Sequence, residues 1–554
     1  MDKELIVLIG GGAGQGVAKA AEILGKIFVN LGYFVFNYRD YQSLIRGGHN
    51  YNVLKISNEW VGSHEEEGID FILALNQETI DLHKNKLKEN GKIFCDINIK
   101  ADKKIGIDID NILEKAGAKR ISENIVLISA LCKYLGIDKE IVKKVIKEEL
   151  KDESNIKIVE IVYEEANIDK TDKIQNIKKG NLYFFNGSEA IALGAIAAGL
   201  DLYIAYPMTP ATPVLHILAK LQEKYDIRVY QPENEIAVAN IALGASYAGA
   251  KVMVGTSGGG FALMSEALSL QGISEIPLVV YLSQRYAPAT GIPTYTSQGD
   301  LKFALNVGHG EFPRVVVAPG DAMEAFRRTI EAFYLSYKYR VLSIILGDKH
   351  LAESHFTYDK IECPPNFVSS ERFIELNPEI PYFTYKLTDT GISPRAVPGI
   401  KNEVVVKATS YEHDEYGITT EDGDWACKMN LKRWKKYKVM KEEIEKMEPF
   451  KIYGKGNKLI VSWGSTKGAI IDALKELKDY SFLQIIYLSP FSSKIKEILK
   501  NFDEIILVEN NVTGLLGKVI RENTGIKIEK RILKCDARPF TSKYLIREIR
   551  KWER

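Results

Sequence analysis

Cysteine is sparse and dispersed in this chain. Its 554 residues include five, Cys95, Cys132, Cys363, Cys427 and Cys535, and no two form a Cys-x-x-Cys pair. Iron–sulfur clusters take thiolates at short spacing or from converging loops, whereas scattered cysteines mostly act as small buried apolar residues. No cluster is therefore expected on this chain. An excess of charge of one sign is also lacking, with 74 basic and 73 acidic residues for a net +1, which argues against a nucleic-acid or membrane-surface protein. The apolar runs are strand-sized, short of the roughly 18 residues that suggest a membrane span. Met1-Asp2-Lys3-Glu4 leads straight into a strand without the basic region and long apolar core of a signal peptide, so a cytoplasmic location is expected. No metal site is expected either, because His309-Gly310-Glu311 has no second His or Cys at ligand spacing. There is no internal repeat or low-complexity tract. The abundance of Lys, Glu and Ile with little Gln suggests a heat-adapted source.

The length suggests three or four domains. Strands alternating with helices predict an α/β, multidomain fold. The first unit spans 1–165. Its opening strand, Leu5-Ile6-Val7-Leu8-Ile9-Gly10, runs into the glycine-rich turn Gly11-Gly12-Ala13-Gly14-Gln15-Gly16 and a helix from about 17 to 31. The glycine spacing matches G-x-G-x-x-G poorly, but Asp40 stands near the end of the next strand, where a dinucleotide fold places its ribose acid. The turn is thus either a nucleotide site or a tight turn with no ligand. A charged linker at 166–181 is followed by a second unit at 182–355. A proline-bearing connecting arm at 356–450 and a last α/β unit at 451–554 complete the chain.

The second unit concentrates the chemistry. Tyr206-Pro207-Met208-Thr209-Pro210 follows its first strand. Val229-Tyr230-Gln231-Pro232-Glu233-Asn234-Glu235 opens an Ala/Gly-rich helix. Lys251–Gly255 ends in Thr256-Ser257-Gly258-Gly259-Gly260-Phe261, and Pro277–Leu282 runs into Arg285-Tyr286-Ala287-Pro288-Ala289-Thr290-Gly291-Ile292-Pro293-Thr294. Residues before proline are pushed out of α geometry, so Tyr206 and Thr209 sit in a non-helical loop. Glu233 and Glu235 fall near the positive end of the following helix. In an open parallel sheet, ligands bind beyond the carboxyl ends of the strands, where these loops would gather.

These motifs, in this order, resemble the alpha subunit of the 2-oxoacid:ferredoxin oxidoreductases, which use thiamine diphosphate and coenzyme A. Gly308-His309-Gly310-Glu311-Phe312-Pro313-Arg314, Gly391-Ile392-Ser393-Pro394-Arg395, Glu412-His413-Asp414-Glu415 and Val508-Glu509-Asn510-Asn511 with Thr513-Gly514 extend the likeness over nearly the whole chain. The front unit, with Ser43-Leu44-Ile45-Arg46-Gly47-Gly48-His49-Asn50, is similar to the family's gamma subunit, fused in front of alpha. The resemblance implies a Rossmann-like gamma domain, a transketolase pyrimidine-type thiamine diphosphate domain and a transketolase C-terminal-like domain. It favours no nucleotide at the front turn and makes Arg46, Gly47 and Gly48 candidates for coenzyme A or a subunit interface.

By the same resemblance, Glu233 is the catalytic carboxylate that bonds the cofactor's aminopyrimidine, with Glu235 structural. Tyr206, Pro207 and Gly258 would line the cofactor. Arg285 would take the substrate carboxylate by bidentate pairing, helped by Thr209 and Thr290. Tyr286 stands where the family often has Gly and would narrow the pocket; Met208 stands for the usual isoleucine. The Gly-Asp-Gly and Asn pattern that holds Mg²⁺ and diphosphate is not found, and Glu421-Asp422-Gly423-Asp424 is only superficially close. The resemblance therefore implies a beta subunit carrying Mg²⁺, the diphosphate site and a [4Fe-4S] cluster, in a heterodimer or dimer of heterodimers that reduces ferredoxin. Pyruvate and 2-oxoglutarate are among the candidate substrates. The alternatives are a silent assembly paralogue and another thiamine-dependent transferase.

Overall fold

The computed structural model describes residues 4–42, 47–169, 171, 174–177, 180–364 and 371–552. Arg46 lies outside these residues. Three sheets organise the chain, and sequence continuity does not separate them cleanly.

The first sheet has eight strands, in the order Lys104–Ile107, Leu87–Asp96, Ile69–Ala74, Glu4–Gly12, His49–Ser57, Phe34–Asp40, His355–Tyr358 and Tyr183–Asn186. Its first strand, almost entirely apolar, is buried along most of its length, as expected of a strand covered on both faces. The helix Val17–Asn30 follows a turn that needs glycine: Gly16 has φ 71°, and a Cβ there would lie 2.4 Å from Asn124 Nδ2. The antiparallel strand His49–Ser57 lies between Glu4–Gly12 and Phe34–Asp40. The last two strands come from beyond the linker, so the front unit and the second unit share one sheet.

The second sheet has seven strands, in the order Tyr487–Ser489, Arg314–Val317, Leu342–Asp348, Leu278–Gln284, Val252–Thr256, Leu202–Ile204 and Arg228–Tyr230. All neighbours are parallel except Tyr487–Ser489, a loan from the C-terminal unit. Val252–Thr256, Leu278–Gln284 and Leu342–Asp348 are buried at every position, the pattern of parallel strands covered on both faces. The third sheet runs Phe450–Tyr453, Tyr480–Ile485, Lys458–Trp463, Ile505–Glu509 and Lys530–Leu533, parallel after its first strand.

The arm has little regular structure up to the helix Gly423–Ile444, which Asp422 caps by accepting from Trp425 N. That helix carries buried cations into the second unit. Lys432 and Lys436 each place Nζ 2.7 Å from a carboxylate oxygen of Glu275, and Arg433 grips both oxygens of Glu412 at 3.0 and 2.6 Å. Among the described residues, no helix is long and apolar enough to cross a membrane.

Candidate functional site

The parallel strands Arg228–Tyr230, Leu202–Ile204, Val252–Thr256 and Leu278–Gln284 are neighbours, so their carboxyl-end loops open at one edge. Asn234 caps the helix Glu235–Tyr247 by accepting from Ala237 N at 3.0 Å. The cap turns Glu235 inward: it is 2% exposed, and its Oε1 has no hydrogen-bond partner. Glu233, two residues earlier, is exposed. The sequence expectation placed the catalytic role on Glu233, whereas this burial favours Glu235. A carboxylate that drives proton transfer through a strong hydrogen bond needs a dry surrounding, and of the two glutamates only Glu235 has one. A signal for this was present in the sequence. Glu235, Val238, Ala239 and Ala242 follow the i, i+3, i+4, i+7 spacing of a single helix face, and all four are buried.

The Thr-Ser-Gly-Gly-Gly turn closes on this carboxylate. A Cβ on Gly260 would lie 2.2 Å from Thr256 Oγ1 and 2.3 Å from Glu235 Oε1. A Cβ on Gly258 would lie 2.7 Å from Asp300 Oδ2. Glycine is needed at both places by proximity to a carboxylate. Ser257 Oγ is buried there without a partner. Asp300 is a site residue that the sequence motifs did not single out. Its N–H donates to Gln284 Oε1 at 2.9 Å, while its carboxylate takes no hydrogen bond among the described residues. Burial pushes its carboxyl up to about 6, against the opposing effect of Arg285. It directly precedes the helix Leu301–Asn306, yet its side chain makes no cap. The motif signal was weak because an acid before a short helix is ordinarily that cap.

Arg285 is half-buried and donates from Nη1 to the Thr209 carbonyl at 2.8 Å, joining two of the expected loops. Burial pulls its guanidinium below the usual arginine range, while Asp300 and Glu235 act to keep it charged. The Thr209 hydroxyl takes no hydrogen bond among the described residues. Tyr206, 38% exposed, and Pro207 lie on the open rim. Thr290 is exposed on the loop beyond Arg285 and makes no hydrogen bond to it.

The glycine-rich turn of the front unit is filled by the chain itself. Gln15 accepts from Gly12 N at 2.6 Å and donates to Leu75 O and Glu123 Oε1 at 3.2 and 2.7 Å. Asp40 is 3% exposed and engaged by Tyr38, Tyr51 and Tyr295. Neither group is free to receive a ribose or a phosphate, so the ligand-free alternative is the one these contacts favour. The Gly48 carbonyl accepts from Ala13 N at 3.3 Å, which places Gly47 and Gly48 beside that turn. Among the described residues no group of three or more His, Cys, Asp or Glu could hold a metal ion.

Two family models match the chain: pyruvate ferredoxin/flavodoxin oxidoreductase over residues 6–165, and the thiamine diphosphate-binding part of pyruvate flavodoxin/ferredoxin oxidoreductase over 193–429. The 2-oxoacid:ferredoxin oxidoreductase subunit alpha of a Sulfolobus species is 32% identical, over 96% of this chain and 94% of its own. The Saccharolobus solfataricus subunit of the same description is 33% identical, over 96% and 95%. The solved 2-oxoglutarate:ferredoxin oxidoreductase of Magnetococcus marinus, with 2-oxoglutarate, coenzyme A and succinyl-CoA bound, superposes with a TM-score of 0.90 at 27% identity, covering all of both chains. The orphaned carboxylate, the glycine turn pressed against it and the arginine beside it accord with these relationships, and the chain belongs to the family of 2-oxoacid:ferredoxin oxidoreductase alpha subunits, with a gamma-like unit fused in front.

Proposed function

We propose that this chain works with a beta subunit to decarboxylate a 2-oxoacid oxidatively, forming an acyl-CoA and passing electrons to ferredoxin. The observation that carries this is Glu235, a buried carboxylate with an unsatisfied oxygen at the carboxyl edge of a parallel sheet. A buried acceptor left without a partner costs about 1–3 kcal/mol, and a ligand bearing a protonated ring nitrogen would satisfy it. The residues fit the pyrimidine end of thiamine diphosphate: Glu235 would hold it, and Gly258 and Gly260 leave the backbone bare beside it. When bound, the cofactor supplies an electron sink for the pair left as carbon dioxide departs.

The chain's own groups do the rest. Glu235 would hold the ring nitrogen and exchange a proton with it. Arg285 pairs with the substrate carboxylate, a bidentate task suited to a guanidinium, and Thr209 lies beside it. Asp300 opposes an incoming anion when ionised. Tyr286, half-buried next to Arg285, narrows the space for the substrate side chain.

A partner chain fits the open rim. Tyr230 (53% exposed), Ile236 (51%) and Leu263 (48%) belong to the site loops or the elements beside them. Apolar surface of this kind is covered in assemblies. The beta subunit would bring Mg²⁺, the diphosphate site and the [4Fe-4S] cluster. The assembly would be a heterodimer or dimer of heterodimers in the cytoplasm.

The test is viologen reduction by this chain co-purified with its partner, over a panel of 2-oxoacids with and without coenzyme A. Reduction that needs coenzyme A with some of the acids is the expected result. No reduction by a complex loaded with cofactor and cluster would point instead to a silent paralogue.

A further inference from the structure

The loop that carries Arg285 is tied both within itself and to the other units. Tyr286 N donates to the Tyr295 carbonyl at 3.0 Å, Ile292 N to Tyr286 O at 3.0 Å and Tyr295 N to Ile292 O at 3.1 Å, so the loop doubles back and ends at Tyr295. The Tyr295 hydroxyl then leaves the second unit and donates to Asp40 Oδ1 of the front unit at 2.8 Å. The other oxygen of Asp40 accepts from Tyr38 at 2.9 Å and Tyr51 at 3.3 Å. Arg538 of the C-terminal unit brings Nε to 3.4 Å from that same oxygen and lays its guanidinium 3.7 Å from the centre of the Tyr295 ring. One buried carboxylate therefore joins the three units of the chain, and the path from it to Arg285 is one side-chain hydrogen bond, one backbone hydrogen bond and one peptide.

A few residues further on, the loop is fastened a second time. Gln298 N donates to Asn510 O at 2.8 Å, Asn510 N to Gln298 Oε1 at 2.9 Å, and Gln298 Nε2 to Trp463 O at 2.8 Å. Gln284, at the end of the strand before the loop, donates from Nε2 to Gly347 O at 3.0 Å and accepts from Asp300 N. Between these fixed points Arg285 is directed by its own bond to the Thr209 carbonyl and by the Tyr286–Tyr295 backbone hydrogen bond, and the second depends on where Tyr295 stands.

We propose that Asp40 is a positioning residue for the substrate-carboxylate site: by holding the Tyr295 hydroxyl under Arg538 it sets the backbone from which Arg285 reaches its anion. The front unit would then contribute to substrate binding without touching substrate. The inference rests on Arg285 being the carboxylate partner. It assigns to the acid at the end of the second strand a use other than the ribose contact that its position suggests.

The test uses the complex with its beta partner and measures KM and kcat for pyruvate and for 2-oxoglutarate in Asp40→Asn, Tyr295→Phe, the double variant and Arg285→Lys. For whichever acid is turned over, each of the two single junction variants is expected to raise KM about tenfold, the equivalent of one charge-assisted contact, with kcat changed less than about twofold. The double variant should be no worse than the poorer single one, because both changes break the same link. A KM unchanged in Tyr295→Phe, which removes only a hydroxyl and is the variant that decides if Asp40→Asn does not fold, would overturn the inference even if thermal stability fell. If Arg285→Lys raises KM while the junction variants do not, the anion site stands and the positioning role fails. If Arg285→Lys leaves KM unchanged, the anion site and this inference fall together.

Discussion

Glu275 and Glu235 are equally hidden, 1% and 2% exposed, yet their surroundings are opposite. Glu275 receives Lys432 on one oxygen and Lys436 on the other, both at 2.7 Å. Burial by itself would raise its carboxyl, but Lys432, Lys436 and Arg340 outweigh this and hold it well below the usual glutamate range. Glu235 has no cation in contact among the described residues, and one oxygen has no partner. The same contrast runs through the molecule. Asp321 and Glu324 share Lys467 between the second and C-terminal units, and Asp40 has three tyrosines and Arg538. The carboxylate of Asp300 has no hydrogen bond among the described residues. Where units join, buried charge is matched by ion pairs; at the carboxyl edge of the central sheet Glu235 and Asp300 feel Arg285 only without contact. Unsatisfied buried groups oppose folding, and at this edge two of them, Glu235 Oε1 and Ser257 Oγ, lie beside loops open to a ligand.

The contrast can be broken from either side. The largest effect should come from Glu235→Gln, which removes the ionisable group that exchanges the proton. Dye reduction by the complex should fall by about 10²–10⁴, the range for loss of a general acid–base, while the thermal midpoint holds or rises. Activity within threefold of wild type would sink the assignment.

Glu275→Gln should do the reverse. Breaking a buried ion pair from one side costs about 3–5 kcal/mol, so the thermal midpoint should drop sharply while turnover per folded complex changes little. The pH dependence has a definite sign. Because the folded carboxyl of Glu275 is depressed, its contribution is present above the ordinary value of 4.5 and is lost as pH falls below it. Acid unfolding of the wild type should therefore be steeper than that of the variant. Equal acid sensitivity would contradict the pairing.

Asp300→Asn should have a smaller effect of opposite sign. With its carboxyl raised to about 6 from 3.8, the ionised form is disfavoured in the fold, so wild type loses stability as pH rises through that interval. The variant should be more stable than wild type at pH 8, by about 1–2 kcal/mol after allowing for its partial exposure, and equal to it below pH 3.8. A stability gain at low pH instead would show that Asp300 is not the titrating group.

The least effect should come from Glu233→Gln. The exposed side chain should change kcat and the thermal midpoint by less than about twofold and 1 °C, as for a surface site. A loss matching that of Glu235→Gln would return the catalytic assignment to Glu233.

How far the sequence went depended on the range of the interaction involved. The Thr-Pro loop, the Thr-Ser-Gly turn and the Arg285 loop were legible because each follows its strand directly, and parallel neighbours must bring such loops to one edge. Between Glu233 and Glu235 the resemblance picked Glu233. The helix face that buries Val238, Ala239 and Ala242 also buries Glu235 and favours it instead. Asp300 belonged to none of the motifs, and only its position against Gly258 and near Arg285 brings it into the candidate site. The division into units was read along the chain, while the sheets pair strands across it: His355–Tyr358 lies against Phe34–Asp40, and Tyr487–Ser489 against Arg314–Val317.

The sequence by itself determined the order of strands, turns and helices, the family likeness those motifs carry, and the set of loops from which a site could be made, because each depends on residues within a few positions of one another. Only the tertiary structure decided which carboxylates are dry, which are paired and what holds Arg285 in place. Burial and charge pairing depend on residues far apart in the chain: Asp40 meets Tyr295 across 255 positions. No local pattern encodes that distance.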